Sequence, residues 1–126
     1  MSNHGKIFIP DHEYKERVTR AAKILQREKL DAMIVNSNEA DYANARYFSG
    51  FWPLFERSGV AISASGDAAL MVGPESREFA ADRSRLEKIF VLKEYRESAD
   101  PAYPELKADT YQDVFHAIGV NGKKLR

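Results

Sequence analysis

The sequence predicts an α/β fold in which helices flank a mixed β-sheet. Segments with helical periodicity interleave with short apolar runs of strand length along the whole chain. The turn sequence Ser65-Gly66-Asp67 joins two of these runs as an antiparallel hairpin, which excludes an all-parallel sheet. The chain has 126 residues, 44% hydrophobic and 30% charged, and this is enough to bury one core. We therefore expect a single domain over residues 1–126.

The first helix is predicted over Asp11–Lys29. Its apolar residues recur at i, i+4, i+7, i+8 and i+11, so they form one stripe along a helix: Tyr14, Val18, Ala21, Ala22 and Leu25. Pro10 and Asp11 suit the start of this helix, because proline tolerates the first turn and an aspartate accepts hydrogen bonds from the free amides there.

Four short apolar runs are predicted to form the strands of the sheet. Ala32–Asn36 is nearly continuous in its apolar character, which is typical of a strand buried on both faces. Gly59–Ser63 and Ala68–Val72 form the predicted hairpin, and Ile89–Leu92 is a further buried strand.

Three more helices are expected between and after these strands. A short helix within residues 38–47 would have Asn38 as its cap, and a second would run from Pro74 to about Leu86. Thr110 opens a last helix, and Gly119 is a suitable stop for it. Residues 96–107 are expected to be irregular.

Charge and composition exclude several classes of protein. Lys plus Arg and Asp plus Glu both number 19, and the zero net charge argues against a general binder of nucleic acids or anionic membranes. The absence of cysteine excludes disulfides, thiolate zinc sites and a cysteine nucleophile, and it fits a cytoplasmic protein. The sequence has no signal peptide and no apolar run of membrane-spanning length.

No self-contained active site can be recognised. His4, His12 and His116 are the only histidines, and none has a partner at metal-ligand spacing. Phosphate-binding glycine loops and nucleophile elbows are also absent. We therefore predict no catalytic residue and no metal ligand in this chain. His12 and His116 are expected at the surface.

An aromatic cluster is the feature of the sequence that most resembles a binding surface. Residues 42–55 contain six of the fourteen aromatic residues: Tyr42, Tyr47, Phe48, Phe51, Trp52 and Phe55. The cluster is either a hydrophobic mini-core under a loop or a surface that receives a ligand. In an extended segment Phe55 and Arg57 would share one face and Glu56 the other. An aromatic plane beside a guanidinium suits a carboxylate or a planar polar ligand.

Three segments of the chain match a known pattern: the opening helix with Glu13, Tyr14 and Arg17, the segment Leu30–Asn38, and the segment Ala43–Phe51. The last contains Asn-x-x-Tyr-x-x-Gly-Phe at Asn44, Tyr47, Gly50 and Phe51. Together they resemble the N-terminal domain of the creatinase / Xaa-Pro peptidase family, which includes prolidase and aminopeptidase P. The resemblance covers about residues 8–126, including the hairpin and the last helix.

The resemblance implies a ribonuclease-H-like mixed sheet and a hydrolase as the parent protein. A C-terminal pita-bread catalytic domain would follow in that parent, and the last residues, 122–126, resemble the start of a further strand, so we expect a fragment. That missing domain would hold two divalent metal ions (Mn, Co or Zn), so this chain would need no cofactor and would be inactive alone. The domain would contact its own catalytic domain, help to wall the active site, and form a homodimer or higher oligomer.

The resemblance also points to substrate-binding residues. Phe55 and Arg57 are similar to a pair in creatinase that reaches the substrate across the subunit interface. Arg57 would then anchor a carboxylate, Phe55 would form a stacking wall, and Trp52 would line the same opening. Three interpretations stay open: the accessory domain of an Xaa-Pro dipeptidase or aminopeptidase, the same domain of a creatinase-like hydrolase of small C–N substrates, or a stand-alone interaction module.

Overall fold

The computed structural model describes residues 8–53, 56–97 and 107–120, and within them a four-stranded mixed sheet is flanked by helices. The strands lie side by side in chain order: β1 (Ala32–Ser37), β2 (Ser58–Ser63), β3 (Ala68–Val72) and β4 (Ile89–Val91). β2 is antiparallel to both of its neighbours, and β4 runs parallel to β3. This arrangement confirms the predicted fold class.

Helices cover both faces of the sheet. The described residues form α1 (Asp11–Arg27), α2 (Ala43–Ser49), α3 (Arg77–Arg83) and α4 (Tyr111–Ala117), with 3-10 turns at Pro74–Ser76 and Lys93–Tyr95. Side chains of α1, α2 and α3 pack on the face formed by Val60, Ile62, Leu70 and Val72. Those of α4 pack on the opposite face, formed by Ala61, Ala69 and Met71. Alternate residues of each strand thus point into two separate cores.

The predicted stripe of α1 is confirmed, but its predicted cap is wrong. The five apolar residues of the stripe are all buried: Tyr14, Val18, Ala21, Ala22 and Leu25. The N-cap position is occupied by Pro10, and no side chain caps the helix. The carboxylate of Asp11 instead pairs with Arg85, with 2.6 Å between Oδ1 and Nη1. Asp11 therefore ties α1 to the segment that follows α3.

The prediction that β1 is buried on both faces is confirmed only in part, because Met33 and Val35 pack against one core and Ile34 against the other, but none of the three is fully buried. Among the described residues, β1 pairs only with β2, so it is an edge strand. Its central residues Met33, Ile34 and Val35 are only half-buried. A continuous apolar run does not distinguish a central strand from an edge strand, because in both positions successive side chains point alternately into the two cores.

The predicted cap of α2 is also wrong. Asn38 Oδ1 accepts hydrogen bonds from two amides of the loop that follows it, and the helix begins only at Ala43. The amide of Ala43 donates to Asp41 Oδ1 at 3.0 Å, and the amide of Ala45 donates to Ser37 Oγ at 2.8 Å. A serine at the end of β1 therefore satisfies the first turn of α2.

The other predicted elements are found with shifted bounds. Thr110 and Asp113 form a capping box at the start of α4, and Gly119 ends it with a φ of 79°. The helix predicted from Pro74 begins as a 3-10 turn and ends at Arg83. The predictions for residues 98–106 and 122–126 lie outside the described residues. None of the described helices has the length and apolar character needed to cross a membrane.

Candidate substrate-contact surface

Trp52 lies at the surface in an aromatic groove that follows the end of α2. The groove has a volume of about 490 Å³, and Trp52, Phe79 and Arg83 are among its lining residues. Trp52 is 38% exposed and Phe79 is 42% exposed. Phe51, which is fully buried beneath them, makes an edge-to-face contact with Phe79 at a centroid distance of 5.5 Å.

Arginines cover the exposed rings of this groove. The guanidinium carbon of Arg46 lies 4.1 Å from the centroid of the Trp52 ring, and that of Arg83 lies 5.4 Å from the centroid of Phe79. Each cation interacts with the negative face of an aromatic ring and shields it partly from water. The groove therefore presents aromatic rings together with the guanidinium groups of Arg83 and Arg85, and the carboxylate of Asp82 lines it as well.

Arg57 lines a second groove, which is polar. Its side chain is exposed just before β2, and Arg96 lines the same groove of about 400 Å³. Three carboxylates also line it: Glu39, Glu56 and Glu97. A simple anion would meet repulsion from these carboxylates. A ligand that carries both a carboxylate and an ammonium group is a better electrostatic match.

The structure separates two of the predicted site residues. Trp52 and Arg57 line different grooves, and no described residue lines both. Phe55 lies outside the described residues. Glu56 also lines the groove of Arg57. The predicted alternation of Phe55, Glu56 and Arg57 stays a prediction. Contact of Trp52, Phe55 and Arg57 with a substrate stays a prediction.

A partly buried hydrogen-bond network joins segments that border the polar groove. Tyr95 precedes Arg96 and is only 3% exposed. Its hydroxyl donates to Asn36 Oδ1 at 2.6 Å and accepts from the Tyr111 hydroxyl at 3.2 Å. Burial, reinforced by the bond with Tyr111, raises the pKa of Tyr95, so the phenol stays protonated. The network fixes the 3-10 turn that carries Arg96 against β1 and α4.

Gly59 makes room for this network. A Cβ on Gly59 would lie 2.6 Å from the Tyr95 hydroxyl and 2.8 Å from Asn36 Oδ1, which is closer than atoms pack. A side chain at position 59 would therefore displace the Tyr95 hydroxyl or the Asn36 amide, so glycine favours the network by close approach rather than by backbone conformation. The sequence of β2 does not predict this close approach, because a glycine near the start of a strand is also typical of an ordinary strand boundary.

The histidines do not form a site. His12 and His116 are exposed, as expected, and His4 lies outside the described residues. Within residues 8–53, 56–97 and 107–120, no three His, Asp or Glu side chains are close enough together to hold a metal ion. The described residues therefore do not fit a metal centre.

The comparison with protein families identifies the domain. The model of the creatinase/prolidase N-terminal domain matches residues 17–125, which is most of the chain. The chain belongs to this family. The creatinase/prolidase N-terminal domain suggested by Leu30–Asn38 and Ala43–Phe51 is thereby confirmed as the identity of the fold.

Two solved structures share the fold of this creatinase/prolidase N-terminal domain. One is the N-terminal, creatinase/prolidase-like domain of a proposed metallopeptidase from Corynebacterium diphtheriae, at a TM-score of 0.54 and 17% identity over 75% of this chain and 69% of that one. The other is the prolidase from Pyrococcus horikoshii OT3, at a TM-score of 0.53 and 19% identity over 83% of this chain. The chain spans only 30% of that prolidase. The comparison with curated proteins found no match.

Sequence reasoning missed the arginines that accompany the predicted site residues. Arg96 reaches the groove of Arg57 because the turn after β4 lies beside β1 and β2. Arg46 lies over Trp52 because α2 ends one turn before the indole. The first contact depends on tertiary structure alone, so no local signal predicts it.

Proposed function

We propose that this chain is the non-catalytic N-terminal domain of a metallopeptidase of the Xaa-Pro dipeptidase or aminopeptidase type. The observation that carries the proposal is the family match over residues 17–125. The similar prolidase from Pyrococcus horikoshii is a much longer chain, of which this domain corresponds to 30%. The catalytic machinery is accordingly proposed to lie in a pita-bread domain outside these 126 residues.

The domain's role in this proposal is to wall the active site and to hold the enzyme's subunits together. Arg57 supplies the contact to the substrate, since its guanidinium is exposed in a groove that also presents Arg96. A free dipeptide is a zwitterion, and the mixture of guanidinium and carboxylate groups in this groove matches that charge pattern. Trp52 provides an aromatic surface in the other groove.

The metal ions of such an enzyme would be bound elsewhere. The described residues of this chain do not fit a metal centre, so two ions of Mn, Co or Zn would be held by the proposed catalytic domain. Bound there, they would supply an activated water and polarise the scissile carbonyl. The contribution of this chain is limited to binding and orienting the substrate and to excluding water.

Hydrolysis assays on two forms of the protein test the proposal. The purified 126-residue chain and the full-length gene product are incubated with an Xaa-Pro dipeptide and added Mn, Co or Zn. We expect turnover by the full-length protein only. Metal-dependent turnover by the chain alone would overturn the proposal. Metal-independent hydrolysis of creatine by the full-length protein would favour the creatinase-like alternative, and a gene product ending at Arg126 would favour a stand-alone module.

A further inference from the structure

The polar groove of Arg57 lies at the edge of the sheet where three strands end. β1, β3 and β4 run in the same direction, because β2 is antiparallel to both of its neighbours and β4 is parallel to β3. Asn38 and Glu39 line the groove directly after β1, and Arg96 lines it after the turn that follows β4. Arg57 joins them because it immediately precedes β2. Open α/β sheets commonly bind ligands at the carboxyl ends of their strands.

Hydrogen bonds hold the backbone on both sides of Arg96. The amide of Arg96 donates to the carbonyl of Lys93 at 3.1 Å and so closes the 3-10 turn. The amide of the next residue, Glu97, donates to Glu75 Oε1 at 3.3 Å, and Glu75 belongs to the segment after β3. The exposed side chain of Arg96 therefore extends from a backbone that is tied to its surroundings.

Tyr95 supplies the side-chain anchor of the same turn. Its hydroxyl donates to Asn36 Oδ1 on β1 at 2.6 Å and accepts from the Tyr111 hydroxyl on α4 at 3.2 Å. A Cβ on Gly73 would collide with the carbonyl of Tyr95, so the chain after β3 packs directly against this residue. Movement of Tyr95 would move Arg96, because the two residues are adjacent in the chain.

We propose that Arg96 is a second substrate-binding residue, which binds the C-terminal carboxylate of a dipeptide together with Arg57, and that Tyr95 is its positioning residue. This role rests on the proposed function and deepens it, because it names a further residue of the same site and the substrate group that this residue binds. β2 and β4 lie on either side of β3, roughly 10 Å apart, a gap that two arginine side chains can close on one carboxylate. Guanidinium groups bind carboxylates through strong, charge-assisted hydrogen bonds.

The three carboxylates of the groove determine which ligand distinguishes this role. Glu39, Glu56 and Glu97 favour a ligand with an ammonium group, with or without a carboxylate. A dipeptide and its C-terminal amide both carry this ammonium group, but only the dipeptide carries the carboxylate. A variant of Arg96 should therefore change the affinity for the dipeptide and leave the affinity for the amide unchanged.

Calorimetric titration of the full-length protein tests the role of Arg96. The metal is removed with a chelator so that binding is measured without turnover, and the probes are the dipeptide Gly-Pro and its C-terminal amide. Arg96→Ala is expected to raise the Kd of Gly-Pro by about 10- to 150-fold, the loss of one charged hydrogen-bond donor, and to leave the Kd of the amide unchanged. Arg27→Ala, an exposed arginine at the end of α1, is the matched control and should change neither Kd.

A double-mutant cycle tests the positioning role of Tyr95. Tyr95→Phe keeps the ring but removes the hydroxyl, and it is expected to raise the Kd of Gly-Pro by about 2- to 10-fold, because Arg96 is then less well ordered before binding. In the Arg96→Ala background the same change should have no further effect on the Kd. An equal loss of affinity in both backgrounds would show that Tyr95 acts only through the stability of the fold, and it would overturn the positioning role.

The outcomes distinguish this role from the proposed function. Full-length protein that does not bind Gly-Pro, or that binds it equally well after Arg96→Ala, overturns the role of Arg96 and leaves the proposed function to the hydrolysis assays. An equal loss of affinity for Gly-Pro and its amide also overturns it. Gly-Pro binding that depends on Arg96, without metal-dependent turnover, supports the role of Arg96 and contradicts the proposed peptidase.

Discussion

The hydroxyl of Tyr95 donates a 2.6 Å hydrogen bond to Oδ1 of Asn36, and this bond joins the turn that carries Arg96 to the edge strand β1. The segment that brings Arg96 to the proposed substrate groove is therefore held against β1. The bond is partly buried, in a space left free by Gly59, and the Tyr111 hydroxyl donates a second hydrogen bond to Tyr95. Loss of the Tyr95–Asn36 hydrogen bond should therefore lower the free energy of unfolding, whereas the charged groups at the surface stay the same.

Tyr95→Phe is expected to lower the free energy of unfolding by about 1–3 kcal/mol, since it leaves Asn36 Oδ1 without its donor and the Tyr111 hydroxyl without its acceptor. Urea unfolding followed by circular dichroism measures the change. Tyr111→Phe is the matched control, and it should cost less, because Tyr111 is only half-buried and its hydroxyl donates a longer bond of 3.2 Å. Equal losses of the free energy of unfolding in the two variants would contradict the conclusion that Tyr95 is the residue that joins both hydrogen bonds.

The stability of the chain should decrease in alkaline solution through Tyr95. Burial raises the pKa of Tyr95 in the folded chain above its ordinary value of 10.0. Above about pH 10 the unfolded chain releases this proton while the folded chain keeps it, so the unfolded state binds fewer protons and the free energy of unfolding falls as pH rises. Urea midpoints measured from pH 8 to 11 should fall less steeply for Tyr95→Phe than for the unmodified chain. Parallel curves would show that Tyr95 ionises normally.

Ser37→Ala is expected to cost about 1–2 kcal/mol of stability. The Ser37 hydroxyl is buried and accepts a 2.8 Å hydrogen bond from the amide of Ala45 in the first turn of α2. Asn38→Ala is the comparison, because Asn38 closes an exposed turn and does not cap the helix. Thermal unfolding should rank Ser37→Ala as clearly more destabilising, and the reverse order would restore Asn38 as the cap.

These two neighbours show how far the sequence alone could predict the local structure. The amphipathic stripe of α1 was predicted residue by residue, because the helical period records burial directly. The start of α2 was not, since Ser37, Asn38 and Asp41 are all competent to accept from an amide and only the path of the loop decides which one reaches the helix. When short polar side chains are adjacent, each of them can accept a hydrogen bond from a backbone amide, and the sequence does not show which one does.

Only part of the candidate site could be predicted from the sequence, and the reason is similar. Trp52 and Arg57 stand out in the sequence by residue type, but the groove in which each lies depends on contacts between distant segments. Arg96 joins Arg57 through the position of the turn after β4, and no spacing in the sequence indicates this. The edge position of β1 likewise follows from strand order, which an apolar run does not encode.

Trp52 is the only tryptophan, so its fluorescence reports on the aromatic groove. Arg46→Ala removes the guanidinium that lies 4.1 Å from the ring centroid and should make the indole more accessible. We expect stronger quenching by acrylamide and a loss of stability of at most about 1 kcal/mol, which is typical of an exposed cation–π pair. Arg83→Ala, which uncovers Phe79 instead, is the control and should change the quenching less. Unchanged quenching in Arg46→Ala would mean that the arginine does not cover the ring in solution.

The central claim is that this domain supplies a substrate contact to a catalytic centre outside the chain, and kcat/KM of the full-length Arg57→Ala variant toward an Xaa-Pro dipeptide tests it most directly. Loss of one charged anchor should lower kcat/KM by about 10- to 150-fold, equivalent to about 1.5–3 kcal/mol, with little change in melting temperature because Arg57 is exposed. Arg27→Ala, an exposed arginine at the end of α1, should leave both quantities unchanged. Unchanged kinetics together with a large drop in the melting temperature of Arg57→Ala would contradict the claim and assign Arg57 a structural role.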